Sequence, residues 1–171
     1  SYATGMVDGI VSGSGAGSVG GLIGYNYGAT ITDSHATGAV SGGSSIGGLV
    51  GYNGTGANVQ HSYASGNVDA IYSYAGGLIG YNDSSSVSDS HASGIVTLGS
   101  SDGGGLIGTN YLSAINRSFA SGAVRGATAT TPSRLGGLVG TQYSYNGTLV
   151  MDSNFATGNV TGGDSMGGLF G

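Results

Sequence analysis

The chain has no cysteine, tryptophan, lysine or glutamate, and one proline. Without cysteine there is neither a disulfide scaffold nor a thiolate metal module. Without lysine and glutamate a long helix loses two of its best formers. Proline is too scarce for a collagen helix, which also needs glycine at every third position. Charge is scarce too: 6% of residues, against roughly 25% in an ordinary soluble domain. The three basic residues, all arginine, face eight aspartates, for a net charge of -5. That leaves no basic footprint for nucleic acid. No run of about 18 apolar residues occurs, so membrane insertion is not expected. No signal-peptide pattern opens the chain, so a mature or excerpted sequence is expected. What is abundant is glycine, 39 of 171 residues, beside 38% hydrophobic residues, too apolar for a solvated coil.

Internal repetition organises the remainder. One phrase occurs as Tyr2-Ala3-Thr4-Gly5, His35-Ala36-Thr37-Gly38, Tyr63-Ala64-Ser65-Gly66, His91-Ala92-Ser93-Gly94, Phe119-Ala120-Ser121-Gly122 and Phe155-Ala156-Thr157-Gly158. Two residues after each final glycine stands a valine. A second phrase, Gly-Gly-Leu followed by an aliphatic or Phe and then Gly, begins at Gly20, Gly47, Gly76, Gly104, Gly136 and Gly167. A third segment carries Ile31, Val59, Val87, Ile115 and Val150. Marked at the aromatic-or-His position, successive units are 33, 28, 28, 28 and 36 residues apart. The main insertions are confined to Gly9–Val19 and Gly126–Leu135, with a few extra residues around Tyr143 to Gly147. Confinement of that kind means the remaining segments are held in register.

Within a unit apolar residues alternate with period two, and Gly, Asn, Asp and Ser bound each short run. The expectation is an all-β parallel solenoid: about six coils of ~28 residues, three short strands each. Right-handed winding follows the general preference. The whole chain, 1–171, reads as one repeat domain with units 1–33, 34–61, 62–89, 90–117, 118–153 and 154–171. One coil cannot cover its own apolar face, and stacking at about 4.8 Å closes the core and saturates the backbone. The inward set is Ala3, Val7, Leu22 and Ile31 with their equivalents, down to Ala120, Val124, Leu138 and Val150. Its leucine row runs Leu22, Leu49, Leu78, Leu106, Leu138, Leu169.

Each Gly-Gly either turns a corner at φ values other residues avoid or lets backbones approach closely. Phosphate-cradling loops need a helix N-terminus or a Lys-Ser/Thr pair, which are absent. After the second phrase come Tyr25-Asn26, Tyr52-Asn53, Tyr81-Asn82, Thr109-Asn110 and Thr141-Gln142. The amides Asn26, Asn53, Asn82, Asn110 and Gln142 suit an inward ladder, donating and accepting along the stack. The alternative is an exposed row in which Tyr25, Tyr52 and Tyr81 contact glycans through aromatic faces.

The Gly-Leu-hydrophobic-Gly core of the second phrase, as in Gly21-Leu22-Ile23-Gly24 and Gly48-Leu49-Val50-Gly51, resembles the GLUG motif, and its six copies span essentially the whole chain. The resemblance implies a large secreted or surface-attached bacterial protein. Filamentous-haemagglutinin-like adhesins and surface regions of some immunoglobulin A peptidases are of this kind. It implies an extracellular solenoid used as a stalk, adhesive surface or fibre, with any peptidase chemistry in other domains.

The chemistry-bearing residues are few. His35 and His91 occupy the aromatic slot two coils apart, roughly 10 Å, too far to ligate one metal at about 2 Å. Asp33, Asp89 and Asp152, with His61 and Arg117, are read as one solvated corner row. Calcium near Asp8 and Asp69 is an open alternative, and the calcium nonapeptide is absent. No cofactor and no catalytic or metal residue is expected, and the chain is not read as an enzyme. The first strand starts at Ser1, and Gly171 closes the last copy of the second phrase. Open solenoid ends invite pairing, so the expected partner is the chain itself, end to end or laterally, or further repeats of the same chain. The expected role is the shaft of a bacterial surface adhesin or an extracellular filament. A glycan-binding adhesive module using the Tyr row or the long inserts is the alternative, with ice binding through the Thr4, Thr37, Ser65, Ser93, Ser121, Thr157 row, or polysaccharide cleavage, ranked last.

Overall fold

The structure, a computed structural model, describes residues 1–9, 17–42, 44–72, 74–127, 133–145 and 150–171. It is a parallel β-solenoid of five turns, each giving one strand to each of five sheets, with the strands from Phe155 onward stacking further on three of them. Sheet A holds Tyr2–Ala3, His35–Ala36, Tyr63–Ala64, His91–Ala92, Phe119–Ala120 and Phe155–Ala156. Sheet B holds Val7–Asp8, Val40–Gly42, Val68–Ala70, Val96–Leu98, Val124–Gly126 and Val160–Thr161. Sheet C holds Ser18–Gly20, Ser45–Gly47, Tyr74–Gly76, Ser101–Gly104, Ser133–Gly136 and Ser165–Gly167. Sheet D holds Ile23–Tyr27, Val50–Gly54, Ile79–Asp83, Ile107–Tyr111 and Val139–Tyr143. Sheet E holds Thr30–Thr32, Asn58–Gln60, Ser86–Ser88, Ala114–Asn116 and Met151–Asp152. Every pairing is parallel and joins like positions of neighbouring coils, as in Val59 with Ile31 and Val87. No helix of the described residues is long and apolar enough to cross a membrane.

Five strands replace the expected three because two of the three segments bend in the middle. The Ala-Thr/Ser-Gly-x-Val segment bends at its glycine, and the Gly-Gly-Leu segment bends at Gly-Leu. The reason for glycine at the second bend is close approach. A Cβ on Gly48 would overlap the Gly77 carbonyl oxygen and lie 2.9 Å from the Ala64 Cβ. A Cβ on Gly77 would meet Gly105 and, again at 2.9 Å, Ala92. None of the described glycines in these phrases has positive φ, so the corner-φ alternative drops out.

This glycine row facing the alanine row pinches the section and separates two cores. The larger contains Leu49, Leu78, Leu106 and Leu138 with Ala64, Ala92, Val87 and Ile115. Leu22 and Leu169 pack against it partly buried. The second, between sheets B and C, contains Val40, Ile46, Val68, Ala75, Val96, Leu98, Val124 and Leu135. There the coils trade volume across the gap. Gly42 faces Ile46, whose Cδ1 would lie 3.5 Å from a Cβ at Gly42, and Gly126 faces Leu135, at 2.9 Å. In the fourth coil the order reverses, with Leu98 filling the space over Gly103. In the third, Ala70 and Ala75 share it. A fixed sheet spacing at interior packing density admits about one large side chain per level.

The third segment of the fifth coil sits one residue later than expected. Met151 pairs with Ile115, and Val150 is 50% exposed. The invariant feature is the step of four residues from the inward aliphatic to the next ring, Ile115 to Phe119 and Met151 to Phe155. The same slip affects the corner row: Asp33, His61, Asp89 and Arg117 share a left-handed backbone with Ser153 (φ 47 to 56°), not with Asp152.

Candidate functional site: side-chain ladders and a tyrosine face

Stacking in register turns each sequence position into a column, and four columns have distinct chemistry. The first is the inward amide of sheet D. Asn26 donates through Nδ2 to Asn53 Oδ1, Asn53 to Asn82, Asn82 to Asn110, and Asn110 to Gln142 Oε1, each at 2.8 Å. The four asparagines are buried. At the ends the chain of bonds also engages main chain: Asn26 donates to the Ala29 carbonyl and Asn110 to the Ser113 carbonyl. Buried amides are tolerated because each bonds an amide of a neighbouring coil, and Asn26 and Asn110 a main-chain carbonyl as well.

The second column is serine at the corner between sheets E and A, a row that the repeat phrases alone do not single out. Ser34, Ser62, Ser90 and Ser118 each follow the left-handed residue named above. Each hydroxyl donates to the carbonyl two residues back, as Ser62 Oγ to Gln60 at 2.7 Å. Each also accepts the N–H of the serine one coil earlier, as Ser34 N to Ser62 Oγ at 3.2 Å. Asn154 takes over at the end of the row, accepting from Ser118 N at 2.9 Å. Ser85 and Ser113 repeat the device between sheets D and E. The signal that marks the column in the sequence is a Ser directly before the ring, as in Asp89-Ser90-His91.

The third column is outward on sheet A. Tyr2, His35, Tyr63, His91, Phe119 and Phe155 stack ring on ring at 4.8–5.4 Å, with planes within 10°. The two histidines thus lie between aromatic faces. Burial there holds His91 below the ordinary imidazole value. Beside this ladder the Thr/Ser row from Thr4 to Thr157 is exposed throughout. At the neighbouring corner Arg117 grips Asp89 with two bonds of 2.7 Å. That contact, with a smaller contribution from His61, lowers the Asp89 carboxyl.

The fourth is a tyrosine face on sheet D. Period-two alternation puts the residues on either side of the inward amide outside. One outer row is Tyr25, Tyr52, Tyr81, Thr109, Thr141, and the other is Tyr27, Gly54, Asp83, Tyr111, Tyr143. Tyr25, Tyr52 and Tyr81 stack at 4.7 and 5.6 Å with planes 5–6° apart. Tyr74 meets Tyr81 edge-on, and Tyr143 and Tyr145 lean on Tyr111. The repeat pattern points only to Tyr25, Tyr52 and Tyr81, because the second row interleaves tyrosine with glycine and aspartate. These rings cover one another's faces and present edges and hydroxyls outward. Contact by stacking a sugar on the Tyr52 face is therefore blocked by its neighbours.

The charges on this face are paired. Tyr52 donates its hydroxyl to Asp83 Oδ2 at 2.8 Å. Its ring leans over Gly54, where a Cβ would collide with it. Burial, and then the Asp83 carboxylate, push the Tyr52 hydroxyl well above the ordinary phenol value. Burial also raises Tyr81. Asp102, only 1% exposed, receives Arg134 Nε and Nη2 at 2.8 and 2.9 Å. Arg134 also donates through Nη1 to the Tyr143 hydroxyl, at 3.3 Å. The bond to Asp102 holds the guanidinium above its ordinary value.

Asp8 of the calcium alternative accepts from Ser41 Oγ at 2.6 Å. Residues 10–16 and 128–132 of the long inserts, and 146–149 after Tyr145, lie outside the described residues. Among the described residues no group of three or more His, Cys, Asp or Glu is placed to hold a metal ion.

Sheets of like strands, in-register columns and side-chain ladders define a repeat protein of the parallel β-solenoid class. Within that class, the chain carries the GLUG motif, which matches three successive stretches, 15–41, 42–69 and 71–97. Each match runs through the Gly-Gly-Leu phrase and on to the valine strand of the next coil. No curated protein matches the chain significantly.

Proposed function

We propose that the chain is a structural shaft: a non-catalytic rod segment of a bacterial surface adhesin or extracellular filament. The observation that supports this is the uniformity of the section. The same five sheets, two cores and amide ladder recur coil after coil, and glycine rows bring the backbones too close for any side chain between them. Such a body extends by adding coils, since each coil's polar backbone is met by the next. Rods of this kind reach out from a surface or join end to end, with the chain itself as first partner.

Electron microscopy and small-angle scattering at rising concentration test it. Expected are rods on the order of 25–30 Å per six coils, either growing into filaments or lengthening in proportion when repeats are added in tandem. A compact particle whose length does not follow repeat number refutes the shaft.

A further inference from the structure

The tyrosine face contains two hydroxyls in opposite electrostatic settings. Tyr52 gives its hydrogen bond to the Asp83 carboxylate at 2.8 Å, whereas Tyr143 receives one from the Arg134 guanidinium at 3.3 Å. A phenol that loses an electron becomes strongly acidic and must shed its proton. Tyr52 has an acceptor already bonded to that proton, whereas Tyr143 faces a cation. Tyr52 is also the middle ring of a stack, 4.7 Å from Tyr25 and 5.6 Å from Tyr81. Tyr25 is 59% exposed and Tyr52 is half-buried. The electron is therefore most easily lost at one ring, and solvent reaches the ring stacked on it.

We propose that Tyr25, Tyr52 and Asp83 form an oxidative modification site that joins Tyr25 to a second phenol. Its co-reactant is a one-electron oxidant of the peroxidase and peroxide class. Tyr52 loses an electron to the oxidant and its hydroxyl proton to Asp83. Tyr25 then returns an electron across the stack while Asp83 returns the proton to Tyr52, and Tyr25 releases its own proton to water. The Tyr25 radical couples through a ring carbon ortho to oxygen with a phenol radical formed the same way. A C–C bond forms, and the ring hydrogens shift to restore both phenols. In sum, one hydrogen peroxide accepts two electrons and two protons and becomes two waters. Coupling is irreversible, so it drains the exchanging pair at its exposed member.

This does not rest on the shaft reading, because the partner in the test is a small phenol and not a second rod. The full chain is treated with peroxidase, hydrogen peroxide and tyramide, and tyramide adducts are mapped by peptide mass spectrometry. Tyr2, Tyr72 and Tyr145 serve as exposure controls, being 71, 56 and 65% exposed without a carboxylate-bonded phenol in the stack. The expected result is several-fold more adduct at Tyr25 than at any of these three. Asp83→Asn and Tyr52→Phe should each lower the Tyr25 yield several-fold and leave Tyr145 unchanged. Tyr52→Phe retains the ring stack, so it keeps the test valid if Asp83→Asn disturbs folding. Adducts distributed by exposure alone, or a Tyr25 yield untouched by Tyr52→Phe, overturn the proposal.

Discussion

Asn82→Leu isolates what the amide ladder contributes. Asn82 accepts from Asn53 Nδ2 and donates to Asn110 Oδ1, both at 2.8 Å, in a layer closed to water. Leucine fills nearly the same space and makes neither bond. It leaves a donor and an acceptor unpaired, at about 1–3 kcal/mol each, so about 2–6 kcal/mol together. Its own apolar burial offsets about 1–2 kcal/mol, for a net loss centred on about 2.5 kcal/mol within a range of about 0–5 kcal/mol. Gln142→Leu is the internal comparison. Gln142 is half-buried, and Asn110 Nδ2 keeps its bond to the Ser113 carbonyl at 2.8 Å when Gln142 is removed. Its cost should stay under about 1 kcal/mol. Urea unfolding followed by circular dichroism gives both values, and hydrogen exchange should show lost protection centred on the coils holding Asn53 and Asn110. If Asn82→Leu is no more destabilising than Gln142→Leu, the ladder is incidental to stability and the reasoning fails.

Three other outcomes are expected. Gly77→Ala should cost about 3 kcal/mol or more, because its Cβ would meet the Gly105 backbone and the Ala92 Cβ. Gly168→Ala, with open space around it, should be near neutral in the same urea unfolding. Met151→Asp should destabilise by about 1–3 kcal/mol and Val150→Asp by less than about 0.5 kcal/mol; equal effects would contradict the pairing of Met151 with Ile115. Finally, stability should fall with acid: the folded chain holds His91 below 6.5, so the unfolded chain binds the proton first as pH drops through that value. His91→Phe keeps a ring in the Tyr63–Phe119 stack and should flatten this dependence in melts recorded from pH 7.5 down to about 5.

What is legible in the sequence is whatever recurs unchanged. The Gly-Gly-Leu phrase and the Ala-Thr/Ser-Gly phrase mark the stacking register, and with it the leucine row and the amide position. Positions that vary by compensation are not legible. Ile46 over Gly42 and Leu98 over Gly103 belong to one core, yet in aligned repeats they look like noise, because the quantity held constant is their summed volume. The tyrosine face is half legible for a related reason: Gly54 and Asp83 interrupt its second row, and each complements Tyr52 instead of repeating it. The slip at Val150 comes from matching residue type, Val for Ile, when the fixed quantity is the distance to the following ring.

The connections between sheets are not equally free to vary. From sheet A to B, C to D and E to A the step is the same in every coil, whereas the passage from B to C is short after Gly42 and long after Asp8 and Gly126. Foreign peptide can therefore be grafted along one edge of the rod, one copy per level, while the three invariant corners keep the scaffold in alignment. Epitopes placed after Ala70 and Leu98 would stand about one strand spacing apart, roughly 5 Å, in a dense linear display.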